Sequence, residues 1–198
     1  MKTNDQANIK TYETYLDVGK YFLEKDWYQQ AIRFFTKAID LDPNNGIAYE
    51  YRGIAVGRTY QYEDSIADFI VALRIDGASV GIFNNLGLAY YKLYRFDEAL
   101  EWYNMAIKLY PDIGLFYSNR GLAYYYLDEY EKAILDYNKA IRLKTTDKDV
   151  YTYRGEALAS LGKYDKAIVD FDKALAFNPG DIQAYAGKVL VLDCCKTG

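Results

Sequence analysis

The sequence predicts an all-α protein assembled from repeated helical hairpins. Three observations carry this. Gly19, Gly53, Gly87, Gly121 and Gly155 are each separated by 34 residues. Between them, apolar residues recur at helical rather than alternating spacing. Polar, turn-forming runs such as Asp42-Pro43-Asn44-Asn45 and Asn178-Pro179-Gly180-Asp181 close the periods, because proline and the residue before it disfavour helix.

The stretch from Gly114 to Leu143 shows the pattern within one period. Tyr117, Gly121 and Tyr124 fall at i, i+4 and i+7, one face of a first helix. Tyr130, Ala133, Tyr137 and Ala140 fall at i, i+3, i+7 and i+10, one face of a second. Asp128 lies between them, where it is expected to cap the second helix. Glu131, three residues on, completes a capping box. A lone hairpin of this size cannot bury both of its apolar sides, so it needs neighbours.

Alignment on the glycines shows what each copy repeats. Four residues earlier stands an aromatic: Tyr15, Tyr49, Phe83, Tyr117, Tyr151. Twelve residues later stands a small residue: Ala31, Ser65, Ala99, Ala133, Ala167. Sixteen later the aromatic returns as Phe35, Phe69, Tyr103, Tyr137 and Phe171. Nineteen later every copy has alanine: Ala38, Ala72, Ala106, Ala140, Ala174. Pro43, Pro111 and Pro179 close three copies, with Gly77 and Thr145 in the other two. Glycine in a helix interior costs about 1 kcal/mol relative to alanine. Its return in every copy implies close helix approach, expected here against the small residue twelve positions on, with the aromatics filling the space beside it. These residues are read as core.

This pattern resembles the tetratricopeptide repeat family, whose unit is a 34-residue helix-turn-helix. The resemblance covers residues 12–181 as five units, 12–45, 46–79, 80–113, 114–147 and 148–181. A polar extension, 1–11, precedes them, either frayed or continuing the first helix. A capping or partial sixth-repeat helix, 182–198, follows. The departures are Ser65 for alanine, two missing prolines, and Arg52, Arg120 and Arg154 where leucine is usual. The resemblance implies a right-handed α-solenoid whose first helices line a concave groove.

It also implies where a partner would sit. Positions that the packing lattice leaves open carry Leu115, Ser118, Asn119, Leu122, Tyr125 and Tyr126 in the fourth unit. The third has Asn84, Asn85, Leu88, Tyr91 and Lys92. Tyr51, Gly57 and Arg58 fall there in the second unit, and Thr152, Tyr153 and Glu156 in the fifth. Asn85 and Asn119 are equivalent, and a carboxamide can pair with any peptide backbone. Tyr51, Tyr91, Tyr125, Tyr126 and Tyr153 would add contact area at low entropy cost. Binding of an extended peptide or partner protein is therefore expected. The five-residue clamp with which co-chaperone relatives hold a C-terminal carboxylate is not. Its positions read Glu50, Ile54, Asn85, Leu115 and Asn119, one match only.

Other functions are disfavoured. The net charge is −4, and nucleic-acid binding needs clustered Lys and Arg. No apolar run reaches the roughly 18–20 residues of a membrane-spanning helix. The polar start, MKTNDQANIK, lacks a signal-peptide core, so a cytoplasmic location is expected. The chain has no histidine, which removes imidazole acid–base chemistry and zinc–histidine sites. No phosphate-binding glycine motif stands in context. Asp97-Glu98 and Asp128-Glu129 are expected in first turns of second helices, where they favour the dipole. No enzyme, cofactor or metal site is expected. Adjacent Cys194 and Cys195 point about 100° apart on a helix and cannot bridge without strain. The segment Val189–Cys195 is apolar nearly all round. That leaves two readings, a following helix not included in this chain or pairing with a second copy. A structural or regulatory subunit assembling through its end or convex faces is the alternative function.

Overall fold

The computed structural model describes residues 2–145 and 147–197, with side chains for 11–145 and 147–195. Met1, Thr146 and Gly198, which the expected segments 1–11, 114–147 and 182–198 include, lie outside the described residues. Among the described residues there are eleven helices and no strand. They are α1 (Lys2–Glu24), α2 (Tyr28–Leu41), α3 (Gly46–Gly57), α4 (Tyr62–Asp76), α5 (Val80–Lys92), α6 (Phe96–Leu109), α7 (Gly114–Tyr126), α8 (Tyr130–Arg142), α9 (Val150–Ser160), α10 (Tyr164–Phe177) and α11 (Ile182–Thr197). They form two compact units, one ending at Arg95 and one beginning at Phe96. In the first unit α1 packs on α2, α3 on both α2 and α4, and α5 on α4. In the second, α7 packs on α6 and α8, α9 on α8 and α10, and α11 on α10. The extension before residue 12 continues α1 from Lys2.

The repeating positions form the interior. The aromatics sixteen residues after each glycine are buried in every copy, as are the small residues at twelve and nineteen. The glycines do allow close approach, but not against the expected partner. A Cβ on Gly19, Gly53, Gly121 or Gly155 would lie 2.5–2.9 Å from the ring of Phe35, Phe69, Tyr137 or Phe171, respectively. The aromatic, not the small residue, occupies the space that the missing side chain leaves. The small residues are buried along the same second helices.

The turn inside each hairpin corrects another expectation. Asp128 does not cap α8. It adopts φ 58° and ends α7, with Asp128 N–H donating to Tyr125 O at 3.1 Å and Glu129 N–H to Tyr124 O at 2.9 Å. This is the Schellman arrangement, in which a left-handed residue lets the chain satisfy the helix's last carbonyls. The Asp128 carboxylate instead accepts from the Tyr130 hydroxyl at 2.5 Å. Glu129, at the cap of α8, makes no capping bond and pairs with Lys132. Asp97 and Glu98 do sit in the first turn of α6. The same left-handed position recurs at Asp26, Tyr60, Tyr94 and Gly162, with φ of 59°, 65°, 59° and 69°.

The three arginines that depart from the family pattern have a structural explanation. Arg120 donates to both carboxylate oxygens of Asp136, at 2.6 and 2.7 Å, and to Asn104 Oδ1 at 2.6 Å. Arg154 does the same with Asp170, at 2.6 Å twice, and with Asn138 at 2.5 Å. Arg52 pairs with Asp68, at 2.8 and 2.7 Å, and reaches Thr36 at 3.4 Å. Each guanidinium thus ties its own helix to the second helix of its hairpin and to that of the preceding hairpin. A planar fork suits this double role, which an ammonium could not fill. Lys188 follows half of the pattern, reaching Asp172 at 2.6 Å.

Candidate functional site

Side chains of the first helices line two open depressions, one in each unit. In the first unit, an open depression of about 400 Å³ is lined by residues of α2 to α5. Its floor is Gly53, Gly57, Ser65 and Phe69, and Ile54, Asn85 and Leu88 stand along it. The depression exists because Gly57 occupies the position that carries Tyr91 and Tyr125 in the two following repeats. Beneath Gly57 lies Ser65, whose hydroxyl donates to the Gly53 carbonyl at 2.8 Å. A Cβ on Gly57 would meet Ser65 Oγ at 3.1 Å.

In the second unit, an open depression of about 380 Å³ is lined by Leu115, Ser118, Asn119 and Leu122 of α7 with Asp147, Asp149 and Tyr153. Ser118, expected on the open face, is buried because it bonds Asp147. Thr152 is buried in the same way, donating to Asp181 at 2.7 Å. Next to this surface lies a tyrosine cluster. The Tyr125 ring lies 5.5 Å from Tyr126, 5.7 Å from Tyr130 and 6.1 Å from Tyr153.

The electrostatics of the second surface follow from burial among acids. Burial, then Asp147 and Asp181, push the Asp149 carboxyl above its ordinary range. Burial also raises Glu156, opposed by hydrogen bonds from Gln183 and Tyr125 and supported by Asp181. The Gln183 bond measures 2.9 Å. Tyr125 is raised by burial and by the Glu156 charge, and burial first, then its neighbours, push Tyr153 up to about 12. The surface is therefore polar, aromatic and net acidic.

The ten expected contact residues thus divide. Asn85 and Leu88 line the first unit's depression, and Leu88 is 40% exposed. Asn84 and Tyr91 are half-buried on the same helix. Tyr51 belongs to the scaffold: it stacks on Phe35 at 5.6 Å and 20° and packs against the interior of the first hairpins. Asn119, Leu122 and Tyr153 line the second unit's depression, with Tyr125 half-buried and Tyr126 exposed beside them. Tyr126 also stacks on Phe96 at 5.4 Å. Residues not expected at a site include Tyr28, Tyr60 and Tyr62 around the first depression and Asp147 at the second. The first was foreshadowed by Gly57 and Ser65, the two small departures of the second unit.

Among the described residues, no three or more His, Cys, Asp or Glu side chains are placed to hold a metal ion. No described helix is long and apolar enough to cross a membrane.

Sequence profiles described as tetratricopeptide repeat match residues 12–45, 81–113, 115–147 and 149–181. Serine/threonine-protein phosphatase 5 of Homo sapiens is 38% identical over 64 residues, 32% of this chain and 13% of that protein. The chain thus spans about an eighth of that relative's length. The crystal structure of YrrB, a repeat protein with an unusual peptide-binding site, aligns over 94% of this chain and 96% of its own, at TM-score 0.73 and 20% identity. PilF of Pseudomonas aeruginosa aligns over 96% of this chain and 86% of its own, at TM-score 0.83 and 19% identity. At these identities the structural likeness concerns the fold, an all-α helical-repeat solenoid.

Proposed function

Since the chain belongs to the tetratricopeptide repeat family, whose members bind protein or peptide partners, we propose that it is a non-catalytic scaffold. It holds an extended segment of a partner protein on the open faces of its first helices. One observation carries the reading. Asn85 is half-buried beside the exposed Leu88, and among the described residues its carboxamide has no hydrogen-bond partner. A peptide backbone can satisfy both its donor and its acceptor, and half-buried amides gain from being paired. The peptide-binding site of YrrB, a protein of the same fold, agrees with this use of the architecture. The absence of histidine from the sequence supports binding rather than catalysis.

The test is the double variant Asn85→Ala with Asn119→Ala. It is expected to weaken binding of selected extended peptides at least about tenfold while the helical circular dichroism spectrum stays unchanged. Wild-type affinity in the folded variant would overturn the groove reading.

A second reading rests on α11. It leaves Ile182 83%, Tyr185 64% and Leu190 66% exposed, an apolar row that suits pairing with a second copy. Under that reading, sedimentation equilibrium at tens of micromolar gives a dimer that Leu190→Glu dissociates. A wild-type monomer there removes it.

A further inference from the structure

The depression of the first unit has a chemistry of its own. Its walls are aromatic and aliphatic, and its rim carries Arg58 and Lys92 but no carboxylate. Among the described residues neither cation is paired with an acid. Lys92 lies 5.7 Å from the centre of the Tyr91 ring. Asp26 is bonded by the Tyr28 hydroxyl at 2.7 Å and does not line the depression. At about 400 Å³ the space falls within the range of ligand pockets, about 300–1,000 Å³.

We propose that this depression receives a large aromatic side chain of a partner's extended segment, flanked in that segment by acidic residues. The ring takes the place over Gly57 that a tyrosine fills in the two following repeats. The flanking carboxylates pair with Arg58 and Lys92, and Asn85 holds the intervening backbone. Three features converge on this ligand. Apolar walls around a missing side chain call for a planar apolar group. Two exposed cations with no acid paired to them call for carboxylates. An unpaired carboxamide calls for a peptide bond. The inference rests on the groove reading and narrows it to one sequence class at one place.

The probe is a fluorescein-labelled peptide with the core Asp-Glu-Phe-Glu-Asp, measured by anisotropy on the full chain. The controls are Lys-Lys-Phe-Lys-Lys and Asp-Glu-Ser-Glu-Asp. The first peptide is expected to bind at least about tenfold more tightly than either control, and to weaken as salt rises. Two variants should each reduce its affinity about tenfold or more. Gly57→Tyr with Ser65→Ala fills the depression with the pair found as Tyr91/Ala99 and Tyr125/Ala133. Arg58→Glu with Lys92→Glu changes exposed residues only and preserves the fold. Equal binding of the controls, or wild-type affinity in both variants, overturns the proposal. A random displayed-peptide library separates it from the broader reading. Selected peptides that need Asn85 and Asn119 but tolerate both pocket variants overturn the pocket and leave the groove. A library that yields no binder overturns both.

Discussion

Replacing Asp136 with alanine is expected to lower the free energy of unfolding by about 3 kcal/mol, the cost of leaving a buried charge without its partner. Arg120 and Asp136 are only 19% and 8% exposed at their side chains, so water cannot take over the lost bonds. The guanidinium would keep one hydrogen bond, to Asn104, and its place over the Tyr117 and Tyr124 rings. The chain itself supplies the control. Its first repeat has Val18 and Phe34 where the fourth has Arg120 and Asp136. Phe34 packs there on Phe22, with ring centres 5.3 Å apart. The double replacement Arg120→Val with Asp136→Phe is therefore expected to stay within about 1 kcal/mol of wild type, since a buried pair and an apolar pair of similar shape are often equivalent. Urea unfolding followed by circular dichroism measures both. A loss below 1 kcal/mol in Asp136→Ala would show that the network is ornamental.

Gly155→Leu is expected to cost about 3 kcal/mol, the upper part of the range for overpacking. The Phe171 ring has nowhere to go. A Cβ on Gly155 would lie 2.8 Å from it on one side, and one on Gly187 would lie 2.6 Å from it on another. Gly155→Ala should cost less, because about 1 kcal/mol of helix propensity returns. Adding Phe171→Leu to Gly155→Ala should recover part of the loss. The coupling free energy in that double-mutant cycle is the decisive measurement. Additive losses would mean that glycine and ring do not compete for the same space.

The lattice could be read from the sequence because burial repeats with the period. Phe35, Phe69, Tyr137 and Phe171 are interior for one common reason, and five copies average out local noise. The turn is hidden in the sequence for the opposite reason. Its left-handed position holds Asp26, Tyr60, Tyr94, Asp128 and Gly162, and only the last carries the conformational signal that glycine gives. Asp128 looked like a cap because aspartate is a good cap, but the backbone had already satisfied the helix end. The arginines showed as departures without a role, since their partners lie sixteen residues away in either direction and within-helix periodicity cannot detect them. Asp68, Asp136 and Asp170 accompany them in the sequence and would have served as the clue. At the candidate site, Asn85 and Leu88 line an open depression. Tyr51 did not stay open, because its position overlies the aromatic of the preceding hairpin. Whether such a position is open depends on how two helices nest, which a single helix's pattern does not contain.

The self-satisfied turn has a consequence for how this chain can vary. The same main-chain bonds close each hairpin, so no particular side chain is required to hold the corner. An acid, a tyrosine and a glycine all serve at the same bend. The row of corners is thus a margin on which residues can be rewritten without retuning the scaffold, while the lattice positions a few residues away tolerate almost no change. Labels, affinity handles or new contacts introduced along that margin should leave the register of the helices as it is.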